Sequence, residues 1–207
     1  MASKAVSISR TMGAHGEEVG RAVAAALGFR YIDNEIIDQA AGRAGVSPEV
    51  VAENEKTQPL LTRILEAIAK APVEPEMMVA QATHPVDLTS AYEDLIEQVI
   101  VETAQQGDVV ILAHGASIPL AKVPDVLRVL VTASVATRAE RVAADQGLDA
   151  KKAKDAIKES DKERERYFER IYELRRELPT HYDLVVNTDA LTTEQAANII
   201  AHAANVS

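Results

Sequence analysis

The residues with the clearest capacity for chemistry lie near the N-terminus, in AVSISRTMGAHGEEVGRAVAAALGFRYID (5–33). An apolar run there leads into a stretch with Gly13, Gly16 and Gly20, then a helical pattern, then a second β-rich run. The start of a helix presents unpaired N–H groups and the positive end of the helix dipole. After a strand and a tight glycine turn, such a start is a natural anion site. A complete phosphate loop adds a lysine for the β- and γ-phosphates and a Ser or Thr for Mg²⁺. GAHGEEVGRA offers Gly20-Arg21-Ala22 as the nearest counterpart of Gly-Lys-Ser, which leaves His15 where the first glycine belongs. Glu17 and Glu18 stabilise a first helical turn through the dipole and repel a phosphate at the same place. On the loop alone, a degenerate anion site and an ordinary strand–turn–helix connection stand level.

A second group of chemically able residues lies in KKAKDAIKESDKERERYFERIYELRRE (151–177), which holds 10 of the 22 Lys and Arg residues. Cations and carboxylates recur there every four positions, the pattern of a solvated helix surface. The apolar stripe Ala153, Ala156, Ile157, Ser160, Arg164, Tyr167, Phe168, Ile171, Leu174 has helical spacing and puts Arg164 on the inward face. A buried guanidinium needs a partner. A structural carboxylate and a ligand phosphate both remain open for it, since an arginine fork suits either. The five histidines, His15, His84, His114, His181 and His202, show no i,i+4 pairing, and the chain has no cysteine, so a zinc site is not expected. Ser7 and Ser9 sit in a strand without a nucleophile elbow, which gives hydrolase chemistry no support. Met77 and Met78 read as packing.

The elements that must position these groups alternate. Five β-rich runs occur at 5–10, 29–33, 109–115, 127–133 and 183–188. Helical patterns separate them at 17–27, 35–44, 59–70, 90–106, 136–146, 150–177 and 192–204. Four of the runs are almost continuously apolar, as strands covered on both faces are. The alternation predicts an α/β fold around a mainly parallel sheet. The long interval from 34 to 108, with the Pro-bearing link at 70–90, reads as a helical insertion. A chain of 207 residues suits one domain. The net charge of −10 argues against general nucleic-acid binding, which needs a basic footprint. It leaves room for a small anion held by a few local cations. Nothing resembles a signal peptide or a membrane span, so a cytoplasmic location is expected.

Taken in order, these segments resemble the cytidylate kinase-like family, a branch of the P-loop nucleoside monophosphate kinases. SISRTMGAHGEEVGRAVAAALGFRYID resembles its opening strand, loop and helix, and ENEKTQPLLTRIL (53–65) the start of its helical insertion. GDVVILAHGAS (107–117) is similar to the strand carrying a Gly-Arg-Gly or Gly-Arg-Asp turn. VLVTASVATRAERV (129–142) is similar to its fourth strand and Arg-x-x-Arg helix, SDKERERYF (160–168) to its lid, and YDLVVNTDALTTEQAANII (182–200) to its last strand and helix. The resemblance implies a three-layer P-loop fold with a core of 1–34 and 107–207, an insertion at about 35–106 and a lid at about 148–177.

It also implies roles. Gly13, Ala14, His15, Gly16, Glu17, Glu18, Val19, Gly20 and Arg21 would surround the donor phosphates. Asp33 would lie near Mg²⁺ and the acceptor phosphate, and Arg138 and Arg141 near the donor base or its phosphates. Asp161, Arg164 and Arg166 match the lid pattern whose arginines clamp the transferring phosphoryl group. His114 and Gly115 fall at the acceptor turn. Phosphoryl transfer needs in-line positioning and neutralised charge more than covalent help from the protein. The expected activity is therefore ATP plus CMP, or a similar pyrimidine monophosphate, giving ADP plus CDP, with Mg²⁺. Small-molecule nucleotides are the expected partners, with no nucleic acid and no membrane, and a homodimer is left open. The chain departs from the pattern at several points. Aligned without gaps to the better-known cytidylate kinases, Gly16 takes the Walker lysine position and Glu18 the Mg²⁺-binding Ser/Thr position, while His114 replaces an acceptor-binding arginine. These departures leave a second expectation: a pseudo-kinase that binds a nucleotide or phosphorylated ligand as a sensor or interaction protein.

Overall fold

The computed structural model describes residues 2–33, 36, 39, 88–112 and 115–206. The chain divides into two compact units, residues 1–33 with 100–207, and residues 34–99. The helical patterns expected at 35–44 and 59–70, and the Pro-bearing link, lie outside the described residues, apart from Ile36 and Gln39, both helical. The first unit carries the sheet.

Its elements alternate as the apolar runs require: β1 (Ala5–Arg10), α1 (Gly16–Leu27), β2 (Arg30–Ile32), the end of α2 (Leu88–Gln106), β3 (Val109–Leu112), β4 (Val126–Thr132), α3 (Val135–Gln146), α4 (Ala150–Tyr172), β5 (Leu184–Asn187) and α5 (Thr193–Val206). The five strands form one sheet in the order β2-β3-β1-β4-β5. Every pairing is parallel, with Ser7 of β1 beside Ile111 of β3 and Arg128 of β4. Chain order reverses around β1: the strand following it lies to one side and β4 to the other. In open parallel sheets ligands bind at such a switch point, outside the carboxyl ends of the strands.

Strand alternation divides β1 between two environments. Val6 and Ile8 join Val110, Leu112, Val129, Val131 and Val186 in a core closed by Val19 and Val23 of α1 and by Ala196, Ala197 and Ile200 of α5. Arg10 has the same parity and emerges on the α1 side. Ser7 and Ser9 face the other way, and Ser9 meets α4 through Arg164. A smaller cluster of Ala139, Val142, Ala153 and Ile157 packs α3 on α4, with Met12 of the loop against it.

One helix is shorter than its charge pattern predicts. The stripe to residue 177 implies a continuous helix, but α4 stops at Tyr172, where Glu173 turns left-handed (φ 54°) and Leu174 N–H bonds back to the Phe168 carbonyl. The physical reason is the position of Glu177. In a continuous helix, thirteen residues span about 20 Å, yet Glu177 lies 2.7 Å from Arg164. The helix ends so that the chain can return to its own Arg164.

Candidate functional site

The connection from β1 to α1 is built by side chains from three other elements. Thr11 pairs its hydroxyl with Thr132 (3.2 Å) and its N–H with the Val131 carbonyl, which aligns the chain as it leaves the sheet. Gly13 follows at φ 77°, and a Cβ there would stand 2.7 Å from the Arg138 carbonyl oxygen, so no other residue fits without shifting backbone. Gly16 opens α1, and a Cβ on it would fall 2.4 Å from the Arg10 Cβ. His15 between them is left-handed (φ 59°), a conformation histidine adopts more readily than most residues.

The loop's carbonyl oxygens are engaged in turn. Arg138 donates to Met12 O (3.4 Å), Arg141 to Gly13 O (3.3 Å), the Thr188 hydroxyl to Ala14 O (3.1 Å) and the Val19 N–H to His15 O (3.0 Å). Their negative ends are thus neutralised from within the protein. The N–H groups of the first turn of α1 have no intrahelical acceptor, and no side chain caps that end. The turn so built stands at the switch point of the sheet. Beside it opens a cleft of about 390 Å³ lined by His15, Arg141, Thr188, Asp189, Leu191 and Thr192.

Around the loop stand the charged groups. Arg141 also donates to the Thr188 hydroxyl (3.0 Å) and carbonyl (2.6 Å), tying the end of β5 to the loop. Arg138 is 4 % exposed and holds Asp161 bidentately at 2.8 and 2.7 Å. Arg164 holds Glu177 with two bonds of 2.7 Å and also reaches the Arg10 carbonyl (3.0 Å) and the Ser9 hydroxyl (2.8 Å). Tyr182 donates its hydroxyl to the same Glu177. Arg166 is exposed and contacts Glu159 at 3.4 Å. Arg21 lies over the Tyr31 ring. Arg10 donates to Glu17 through Nε (3.2 Å) and a terminal nitrogen (2.6 Å).

Asp33 follows β2 at the carboxyl edge of the sheet. Burial pushes its carboxyl above the usual range, the Arg10 charge opposes the rise, and the Glu17 carboxylate adds to it. The Tyr31 hydroxyl is pushed up to about 12, first by burial and then by the Asp33 charge. Among the described residues no three His, Cys, Asp or Glu side chains converge. A kinase Mg²⁺ is ordinarily held by one or two carboxylates plus substrate phosphates. A single half-buried carboxylate at the carboxyl edge of the sheet fits that donor set.

The expected site residues therefore fall into groups. Residues 13–21 form one continuous turn and first helical segment, but Ala14 and Val19 bury their side chains and leave only backbone to a ligand. Arg138 and Arg141 both contact this turn, while Asp161 and Arg164 are engaged by Arg138 and Glu177. Gly115, three residues past β3, has φ 73° and lies beneath Tyr172, whose ring a Cβ would approach to 2.7 Å. His114 lies outside the described residues. Arg10, Thr188 and Asp189 escape the sequence reading. Only the position of Arg10 at the end of an apolar strand marks it beforehand.

A family model, the cytidylate kinase-like family, matches residues 5–190. The chain belongs to that family. No curated protein matches the sequence. Among solved structures, an uncharacterized protein from Eubacterium ventriosum superposes with a TM-score of 0.63 at 16 % identity, covering 98 % of this chain and 99 % of that one. Shikimate kinase from Bacteroides thetaiotaomicron gives 0.52 at 15 % identity, with 98 % of each chain covered. TT1252 from Thermus thermophilus gives 0.51 at 16 %, with 100 % of each covered. At these identities the likeness concerns the fold, which is that of the P-loop kinases. No helix among the described residues is long and apolar enough to cross a membrane.

Proposed function

We propose that this chain is a phosphotransferase that moves the terminal phosphoryl group of ATP to a pyrimidine nucleoside monophosphate, with CMP giving CDP and ADP. The observation that carries the reading is the turn at 12–16, whose carbonyls are engaged by Arg138, Arg141, Thr188 and Val19 while its helix-start N–H groups have no side-chain cap. In a kinase-like family, such a turn at the switch point of a parallel sheet is suited to donor phosphates. The neighbouring cleft, with Arg141 and Asp189 on its wall, suits the rest of the donor nucleotide. Asp33 would hold Mg²⁺ together with the phosphates. The ion would neutralise developing charge on the transferring group. It would also favour ionised Asp33, against the burial that raises the carboxyl.

Within this reading the lid residues divide. Asp161 and Arg164 position α4, because each is consumed by a partner in the fold. Arg166, with its side chain 65 % exposed and its Glu159 contact easily exchanged, is the lid cation that can meet a bound phosphoryl group. His114 and Gly115 are assigned to the acceptor side by their place in the family pattern alone.

A coupled assay with ATP, Mg²⁺ and each common nucleoside monophosphate tests the proposal. CMP is expected to give the highest kcat/KM, and an absence of turnover with every acceptor overturns the reading. The acidic first turn, Glu17 and Glu18, favours a second reading in which the site binds a phosphorylated ligand without transferring the group. Calorimetry separates the two: tight, Mg²⁺-independent nucleotide binding without turnover supports the sensor.

A further inference from the structure

We propose that Arg10 is the donor-phosphate cation that replaces the missing loop lysine, and that Glu17 holds it in reserve until a phosphate displaces the carboxylate. This rests on the donor-site reading above and deepens it.

The cations around the turn differ in how tightly the fold holds them. Arg138 is buried and bound to a carboxylate and two carbonyls, so withdrawing it would strand Asp161 and open the loop. Arg164 and Glu177 are 9 % and 17 % exposed in their side chains, and separating them would leave two nearly dry charges. Arg141 spends its donors on Gly13 and Thr188, which hold the turn in shape. Arg21 lies against the Tyr31 ring, one helical turn beyond the loop. Arg10 and Glu17 are different. Their side chains are 23 % and 42 % exposed, the most open of the arginine–carboxylate pairs that involve a loop-flanking arginine. Exchange of an exposed carboxylate for another anion carries little desolvation cost.

Position agrees with exchangeability. The Arg10 stem rises from the last residue of the central strand and lies against Gly16, which leaves space for it by lacking a Cβ. Its guanidinium therefore stands beside the first turn of α1, where a loop lysine would otherwise bring its charge. Its field also reaches Asp33, the carboxylate assigned to Mg²⁺. A polyphosphate entering the turn repels Glu17 and offers the fork a more highly charged acceptor with matching geometry. The Glu17 position, unfavourable for phosphate at first sight, becomes the resting partner of the cation.

The test is calorimetric titration of wild type, Glu17→Gln, Arg10→Met, Arg10→Lys and the Arg10→Met/Glu17→Gln double variant with ATP, AMP and inorganic tripolyphosphate. Freeing the fork by Glu17→Gln should tighten ATP and tripolyphosphate about tenfold, and Arg10→Met should weaken them by about as much. AMP, which lacks the β- and γ-phosphates, should show neither effect. In the double variant the gain from Glu17→Gln should vanish. An equal gain with and without Arg10 would mean that the carboxylate acts by its field alone, and the proposal fails. Unchanged ATP affinity in Arg10→Met also overturns it while the donor-site reading survives. An absence of ATP binding in every variant removes both. If circular dichroism shows Arg10→Met unfolded, Arg10→Lys decides: loss of the fork must reduce the Glu17→Gln gain at least threefold, and an undiminished gain refutes the assignment.

Discussion

Arg164 reaches both carboxylate oxygens of Glu177, the Arg10 carbonyl and the Ser9 hydroxyl, and it stacks on Phe168. Those contacts fasten α4 to the end of the central strand. Truncating it would leave Glu177 largely buried, with Tyr182 as its remaining partner among these groups. Arg164→Ala is therefore expected to lower the unfolding free energy by about 3 kcal/mol, as read from urea denaturation. Arg164→Lys should recover only part, because one ammonium cannot reproduce the two-pronged contact. A loss below about 1 kcal/mol combined with abolished turnover would instead assign Arg164 a direct part in the reaction. Arg138 makes the analogous link on the other side of the turn, from Met12 to Asp161.

At the scale of elements, the start of β5 is pinned to β4 by Arg128 and Asp183. The Arg128 backbone N–H (2.9 Å) and guanidinium (3.0 and 2.6 Å) all donate to the Asp183 carboxylate, and Asp183 N–H returns a bond to the Arg128 carbonyl. Burial pushes the Asp183 carboxyl up, but the Arg128 bonds more than reverse this, and the net shift is downward. A lowered folded-state value means the ionised side chain stabilises the fold above the ordinary aspartate pKa, and that this contribution is lost as pH falls through the lowered value. Asp183→Asn should thus be less stable than wild type at pH 7, with the difference shrinking steadily below about pH 4. Urea titrations at a series of pH values measure it, and a pH-independent difference would contradict the assigned cause. The pair matters to the site because β5 leads directly into Thr188, whose hydroxyl supports the loop at Ala14.

For the whole molecule, the donor-site reading predicts a stability change under ligand. A nucleotide that binds only the folded chain at a hundredfold excess over its Kd adds about 2.7 kcal/mol. For a protein of this size that corresponds to about 5–10 °C in Tm. ATP should produce this shift in differential scanning fluorimetry, and AMP at equal concentration should fall well short of it. Equal shifts from both would argue that the triphosphate is not what the turn recognises.

Much of the architecture was legible from local pattern. Apolar runs separated by helical periods specify an α/β fold with a parallel sheet, because a strand covered on both faces is apolar along most of its length. β1 spans 5–10 as its run predicts, and the turn with Gly13 and Gly16 falls between β1 and α1. Helical spacing alone put Arg164 on the inward face of α4. Periodicity reports which face a residue occupies, but not which residue it meets there. The partners of Arg10, Arg138 and Arg164 follow from how the chain returns on itself: α4 ending at Tyr172 so that Glu177 reaches Arg164, and α3 bringing Arg138 to a loop 126 residues earlier. The same return of β5 and α3 onto the β1 turn engages the loop's carbonyls. An acidic, lysine-free turn that reads as ambiguous in one dimension thereby becomes a braced turn whose helix start has no side-chain cap and has an arginine beside it.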